Sequence, residues 1–205
     1  MAVSCAECGR QYDVTLFQFG RTINCACGKR VGLEHRINLP ARGSGRRGER
    51  DEIRFFADVM VARLVRWLRA IGIDTIWEDA VSDRDLVKKA VEEKRFILTL
   101  DKPLLEEWRV DNVLLLQSEN PPEQFREVVS RFGIEKPKEF FTRCLVCNTP
   151  FRSASDEEIA AGAPLDVRQN QETFDYCPNC EKLYWQGSHT KRMRRAIEEI
   201  FSAEY

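Results

Sequence analysis

An α/β domain with a mostly parallel sheet, carrying a zinc ribbon at each end of the chain, is the architecture this 205-residue sequence predicts. Three observations carry it. Short apolar runs alternate with helix-period stripes between residues 53 and 140, the pattern of right-handed crossovers onto parallel strands. All eight cysteines fall into four close pairs, two near the start and two near the end. Residues 40–50 contain three glycines, four arginines and no bulky apolar side chain, the composition of a flexible linker. The expected division is a ribbon over 1–39, a basic linker over 40–52, the α/β body over 53–140, and a second ribbon with a helix over 141–205.

The first ribbon rests on Cys5-Ala-Glu-Cys8 and, after sixteen intervening residues, Cys25-Ala-Cys27. Gly9 and Gly28 follow the pairs, as a turn of positive φ requires. The single residue between Cys25 and Cys27 is a tighter gap than usual, and His35 is an alternative ligand. The second ribbon is more regular: Cys144-Leu-Val-Cys147 and Cys177-Pro-Asn-Cys180 are separated by 29 residues, read as a loop or hairpin. Two residues between cysteines let both sulfurs converge on one tetrahedral Zn²⁺. Two structural Zn²⁺ ions are therefore expected, and closed four-thiolate sites leave neither of them a catalytic position.

The body opens with a strand at residues 54–57 that ends at Asp58. A helical stripe follows through Met60, Leu64, Trp67, Leu68 and Ile71 and stops at Gly72. Residues 73–77 read as a second strand. Ser82, with Asp85 three positions on, opens a second helix. Residues 95–100 form a buried strand ending at Asp101, and residues 113–116 a fourth strand. Pro121 and Pro122 open a helix that stops near Gly133.

Asp58 and Asp101 thus follow predicted strands directly, and Asp83 or Asp85 stands at a helix N-terminus that reaches the same rim. In open parallel sheets the site lies beyond the carboxyl ends of the strands. Three carboxylates gathered there repel one another unless a hard divalent cation, Mg²⁺ or Mn²⁺, neutralises them. Each acid taken alone has a simpler account as a helix N-cap. Arg63, Arg66 and Arg69 recur beside the apolar stripe, either as a solvated face or as a face that guides phosphates. After the last knuckle come Tyr184, Trp185, Ser188 and His189, then Arg192 among other basic residues on a C-terminal helix. Tyr184 and Trp185 suit either a stacking platform or core packing. His189 can contact a phosphate or donate a proton to a leaving oxygen.

Net charge is −1, but residues 1–50 hold nine basic and four acidic side chains, a basic end on an acidic body that suits a polyanionic partner. No apolar run reaches the ~20 residues of a membrane span. The first residues have no signal-peptide pattern, which points to a reducing, cytoplasmic setting for the thiols.

The string Phe56-Ala-Asp58-Val-Met60-Val-Ala-Arg63-Leu64-Val-Arg66-Trp67-Leu68-Arg69 resembles the opening of the Mut-seven C-terminal RNase family, a branch of the PIN-like nucleases. The resemblance continues through Ser82-Asp83-Arg84-Asp85, Leu98-Thr99-Leu100-Asp101, Arg143-Cys144 and Cys177-Pro-Asn-Cys180, to Gly187-Ser188-His189. It implies a PIN-like α/β/α fold of three layers with a Zn ribbon near its end, and metal-dependent cleavage of RNA to 5′-phosphate and 3′-hydroxyl products. It also implies Asp58, Asp83 and Asp101 as the acids, with Asp85 an alternative for the second; the family usually has Arg where Leu100 stands. It gives no precedent for residues 1–50, where RNA, a ribosome or another protein is the candidate partner. The rival reading is a non-catalytic RNA-binding or ribosome-associated adaptor built on two ribbons. A toxin–antitoxin type of partner ranks last.

Overall fold

The computed structural model describes residues 2–33 and 53–203. His35 and the linker over 40–52 lie outside the described residues. The chain forms two compact units, one built from Met1–Ala62 with Trp77–Glu119, the other from Arg63–Ile76 with Asn120–Tyr205.

The first unit begins with two antiparallel hairpins, β1 (Ala2–Ser4) with β2 (Gln11–Asp13) and β3 (Thr22–Asn24) with β4 (Arg30–Gly32). Each hairpin turn holds one cysteine pair. Cys5, Phe17, Cys25 and Val31 form a small buried cluster, with Val3, Tyr12 and Ile23 packed on it. The α/β part contributes β5 (Phe55–Ala57) and, in the second unit, α1 (Ala62–Ala70) begins directly after a short 3-10 turn at Val59–Val61. The chain continues with β6 (Thr75–Trp77), α2 (Asp83–Glu92), β7 (Phe96–Thr99), α3 (Lys102–Glu107) and β8 (Val113–Leu115).

The sheet order is β6-β5-β7-β8, and the pairs β5/β7 and β7/β8 are parallel. Phe55, Phe56 and Ala57 are all buried, as expected of a strand covered on both faces. Leu86, Val87 and Ala90 of α2 and Leu104 of α3 complete this core. Burying each such large side chain stabilises the fold by roughly 1.5–3 kcal/mol. Chain order runs outward in opposite directions from β5 and β7, so the topology switches between these two strands.

The second unit holds α4 (Pro121–Phe132), β9 (Arg152–Ser153), α5 (Asp156–Gly162), α6 (Leu165–Asn170), β10 (Asp175–Cys177), β11 (Lys182–Tyr184) and α7 (Ser188–Ser202). Leu64 and Leu68 of α1, Phe125 and Val128 of α4, and Ile197 and Phe201 of α7 are buried. Phe125 stands 5.6 Å from Trp67 and meets Phe201 edge-on at 6.0 Å, ring to ring. The ribbon sheet has the order β11-β10-β9 and is antiparallel. The spacer between its knuckles, expected to be loop or hairpin, contains α5 and α6 as well as strands. Ser155 and Glu158 form a capping box at the start of α5.

Arg69 departs from the expected phosphate-guiding stripe. Arg63 and Arg66 are exposed, whereas Arg69 is 5% exposed. Its Nε donates to the Thr75 carbonyl at 2.8 Å, and its Nη1 to the Leu145 and Val146 carbonyls at 3.1 and 2.7 Å. The guanidinium thus braces the first knuckle of the ribbon against the strand after α1. Asn148 adds to the same joint by donating to Asp74 at 2.7 Å and accepting from the Thr75 amide at 3.2 Å. Arg69→Ala leaves these carbonyls without a donor and is expected to cost about 2–4 kcal/mol, read as a lower midpoint in thermal or urea unfolding. An unchanged midpoint would contradict the bracing role.

Candidate metal centres and an acidic rim

Two quartets of cysteines, Cys5/Cys8/Cys25/Cys27 and Cys144/Cys147/Cys177/Cys180, each bring four sulfurs within 4.8 Å of one another. Cys5–Cys27 and Cys8–Cys25 are separated by 3.7 and 3.5 Å, Cys144–Cys180 and Cys147–Cys177 by 3.8 and 3.3 Å. A disulfide needs about 2.0 Å, so none of these pairs is bonded. A tetrahedron with Zn–S of ~2.3 Å has sulfurs ~3.8 Å apart, close to the spacings found.

The four knuckles share one backbone design. The residue after each pair donates its amide to the carbonyl of the first cysteine: Gly9 to Cys5 at 2.9 Å, Gly28 to Cys25 at 2.8 Å, Asn148 to Cys144 at 2.9 Å and Glu181 to Cys177 at 2.9 Å. All four donors have positive φ, which costs nothing at Gly9 and Gly28 but strains Asn148 and Glu181. In Cys25-Ala-Cys27 the turn is one residue tighter and still closes, which explains how the narrow spacing completes a quartet. The Cys25 thiol is pulled down to about 6, first by the Cys27 amide and then by the Tyr12 hydroxyl. Cys180 is pushed up to about 12 by sharing a proton with Cys147 and by burial. Four sulfurs so close cannot all be thiolates unless a cation offsets their charge.

The acids occupy a different place. Asp58 directly follows β5 and Asp101 lies two residues beyond the end of β7, the two strands flanking the topological switch. The Asp58 amide donates to the Leu98 carbonyl at 2.9 Å, extending the β5/β7 ladder by one residue. Its carboxylate is 9% exposed as a residue, accepts the Val59 amide at 2.5 Å, and accepts the Thr99 hydroxyl at 2.6 Å. Thr99 in turn accepts the Asp101 amide at 2.9 Å. One buried hydroxyl therefore sets both acids. Asp101 occupies the N-cap position of α3, yet its side chain makes no cap bond.

Asp83 and Asp85 take different roles at the start of α2. Ser82 accepts the Asp85 amide at 3.2 Å and donates its hydroxyl to the Asp85 carboxylate at 2.7 Å, so Asp85 belongs to the cap. The Asp83 carboxyl is raised above the usual carboxylate range, first by partial burial and then by the charges of Asp101, Asp58 and Glu107. The acids are more widely spread than the sulfurs: among the described residues, only the two cysteine quartets bring three or more ligand atoms within 4.8 Å.

A family model described as the Mut7-C RNAse domain matches residues 53–197. The chain belongs to the Mut7-C RNAse domain family. No curated protein and no solved structure matched the chain. The Mut7-C segment contains the acidic rim and the second quartet, and it leaves the first quartet outside. Membership in a family of RNase domains points to a nuclease-like function with RNA as the substrate class. No described helix is long and apolar enough to cross a membrane.

Other residues of the Mut7-C segment fall out as follows. Tyr184 turns its hydroxyl to the Cys144 sulfur at 3.5 Å and its ring to Phe151 at 5.0 Å. Burial and that sulfur raise its phenol above the ordinary value. The phenol thus packs on the second cysteine quartet. Trp185 packs 6.4 Å from Phe174. Ser188 and His189 are exposed at the first turn of α7, and Arg192 contacts the His189 Nδ1 at 2.9 Å. Thr99 and Glu107 were not singled out from sequence as site residues. A threonine inside the apolar run Phe-Ile-Leu-Thr-Leu was the signal for the first. Pro103 after Asp101, a helix-start signal, was the signal for the helix that carries the second.

Proposed function

We propose that the protein is a Mg²⁺- or Mn²⁺-dependent ribonuclease whose cation-binding acids are Asp58, Asp83 and Asp101. The observation that supports this most is the pair Asp58 and Asp101 just past the ends of β5 and β7, both tied to the Thr99 hydroxyl; burial, and then the charges of Asp101, Asp58 and Glu107, raise the Asp83 carboxyl. Such a donor set is hard, oxygen-only and over-charged, which fits Mg²⁺ or Mn²⁺ and not the thiophilic Zn²⁺ of the quartets. A bound divalent cation supplies Lewis acidity and a lowered pKa for coordinated water, the chemistry of phosphodiester hydrolysis.

The chain's own groups prepare the rim. Thr99 fixes the Asp58 carboxylate by its hydroxyl and the Asp101 backbone by its oxygen, so two of the acids keep a set relation before substrate arrives. Asp58 holds the deeper position. Asp83, at the exposed start of α2, completes the set, while Asp85 keeps the α2 terminus in place. Arg63 and Arg66 of α1, and separately Ser188, His189 and Arg192 of α7, are the candidate RNA contacts, with Arg69 and Tyr184 having internal partners instead. The two zinc sites are structural. The division of the chain at residues 39, 52 and 140 remains part of this reading.

The test is cleavage of end-labelled single-stranded RNA with and without Mn²⁺. Mn²⁺-dependent cleavage by the parent and its loss in Asp58→Asn are expected. Full-rate cleavage by Asp58→Asn would remove the acids from the mechanism, and RNA binding with no cleavage by the parent would favour the adaptor reading.

A further inference from the structure

The N-terminal ribbon lies outside the family segment, yet it is built into the same compact unit as the acids. Its seam with the chain after α3 is made of backbone as well as side chains. Arg21 and Trp108 form an antiparallel bridge, and the Arg109 amide donates to the Gly20 carbonyl at 2.7 Å. The buried Thr22 hydroxyl donates to the Glu106 carbonyl at 2.9 Å. A Cβ on Gly20 would fall 2.8 Å from the Arg109 carbonyl oxygen, and Gly20 has a φ of +82°, so glycine is needed for the approach.

Two ion pairs flank the seam: Arg21 with Glu107 at 3.2 Å and Arg30 with Glu106 at 3.6 Å. Exposed pairs of this kind contribute only about 0–1 kcal/mol, so their position matters more than their strength. Glu107 ends α3, the helix that Asp101 begins as N-cap, about 9 Å along the axis at 1.5 Å per residue. A guanidinium held on Glu107 therefore stands at the far end of the helix that carries the third acid. Arg21 also lies over the Trp108 ring, 5.9 Å from its centroid, which limits its movement. Its side chain is 46% exposed, and among the described residues only its Nε makes a side-chain hydrogen bond. Among the described residues the terminal N–H groups of the fork make no hydrogen bond, which leaves their donors for an oxyanion.

RNA approaching Asp58, Asp83, Asp101 and Glu107 meets a wall of like charge. We propose that Arg21 of the N-terminal ribbon is a positioning residue for this rim, its guanidinium taking a backbone phosphate of the bound RNA. The inference rests on the ribonuclease reading and gives the ribbon a task in it: a fixed arm that brings a cation to an anionic site.

The experiment measures binding of a labelled single-stranded RNA to the full zinc-loaded chain carrying Asp101→Asn, with and without Arg21→Ala, Arg21→Lys or Glu107→Gln. Steady-state cleavage by the Arg21 variants with Asp101 intact accompanies it. Arg21→Ala is expected to weaken binding roughly tenfold and to reduce the slope of log K against log salt by about one. It should raise KM while leaving kcat within about twofold, and Arg21→Lys should recover part of the loss. Glu107→Gln removes the same ion pair but keeps the guanidinium, so it should not reproduce the loss. Unchanged affinity and KM in Arg21→Ala, or an equal loss in Glu107→Gln, would make Arg21 only an anchor of the seam and overturn the inference with the ribonuclease reading intact. Failure of the protein with Arg21 intact to bind or cut any RNA would defeat that reading, and the inference with it.

Discussion

Cys177→Ser, or removal of zinc by a strong chelator, is expected to unfold the C-terminal ribbon as a unit. The reason is how little else holds it. The helices α5 and α6 bury no residue at all, and β9 is exposed. The buried side chains between the knuckles are Ala163 and Phe174, flanked by Cys144 and Cys177 themselves. Structural Zn²⁺ in small domains contributes about 10–16 kcal/mol of apparent binding free energy, far more than such a core supplies. The N-terminal ribbon should tolerate a single cysteine loss better, because Phe17, Val31 and the seam at Gly20–Thr22 remain. Elemental analysis should give two zinc ions per chain. Cys177→Ser protein with parent-like amide dispersion and thermal midpoint would contradict the structural role of the second site.

Asp83→Asn and Asp85→Asn should separate sharply, although the residues are two positions apart. Asp83→Asn is expected to lower cleavage by roughly 10²–10³-fold, the loss typical when a preorganised charge is removed from a site. The same change should stabilise the cation-free protein at neutral pH. Burial and like charges raise the Asp83 carboxyl, so the fold disfavours its ionised form. Stability from this group is complete below the unfolded value of 3.8 and is lost as pH rises through the higher folded value. The advantage of Asp83→Asn should therefore appear above that window and vanish on acidification. Asp85→Asn keeps the acids and weakens only the helix cap, a cost of about 0.5–1 kcal/mol with near-normal cleavage. Equal activity losses in the two variants would contradict the assignment of the second acid. Thermal melts across pH, with cleavage rates on the same preparations, make the comparison.

Much of this was legible in the sequence because the signals were local. The alternation of apolar runs and stripes placed β5, α1, α2, β7, β8 and α4 within a few residues of their observed bounds. The cysteine pairs announced both quartets, and the glycines after two of them announced the turn. Asn148 and Glu181 hid the same turn in the other two knuckles, because their left-handed conformation is imposed by the fold and not by residue type. What failed to show was mostly non-local. Arg69 shares the three-residue spacing of Arg63 and Arg66, and only the ribbon packed beside α1 decides that its donors turn inward. The roles of Asp83 and Asp85 depend on which carboxylate Ser82 engages, and a helix N-terminus with two acids offers both. α3 is six residues long and too short for a period to register. The seam between the N-terminal ribbon and Glu106–Arg109 joins residues 84 or more positions apart, and no pattern in either segment foretells the other.

The acids are proposed to hold a divalent cation with which the protein cuts RNA. The most direct test is the cleavage rate of a labelled single-stranded RNA as Mn²⁺ is titrated into zinc-loaded parent and Asp101→Asn protein, with RNA binding measured on both. A saturable, Mn²⁺-dependent rate is expected in the parent and a rate roughly 10²–10³-fold lower in Asp101→Asn, with RNA still bound. Cleavage at the parent rate in Asp101→Asn, or at a rate indifferent to divalent cation, would contradict this proposal.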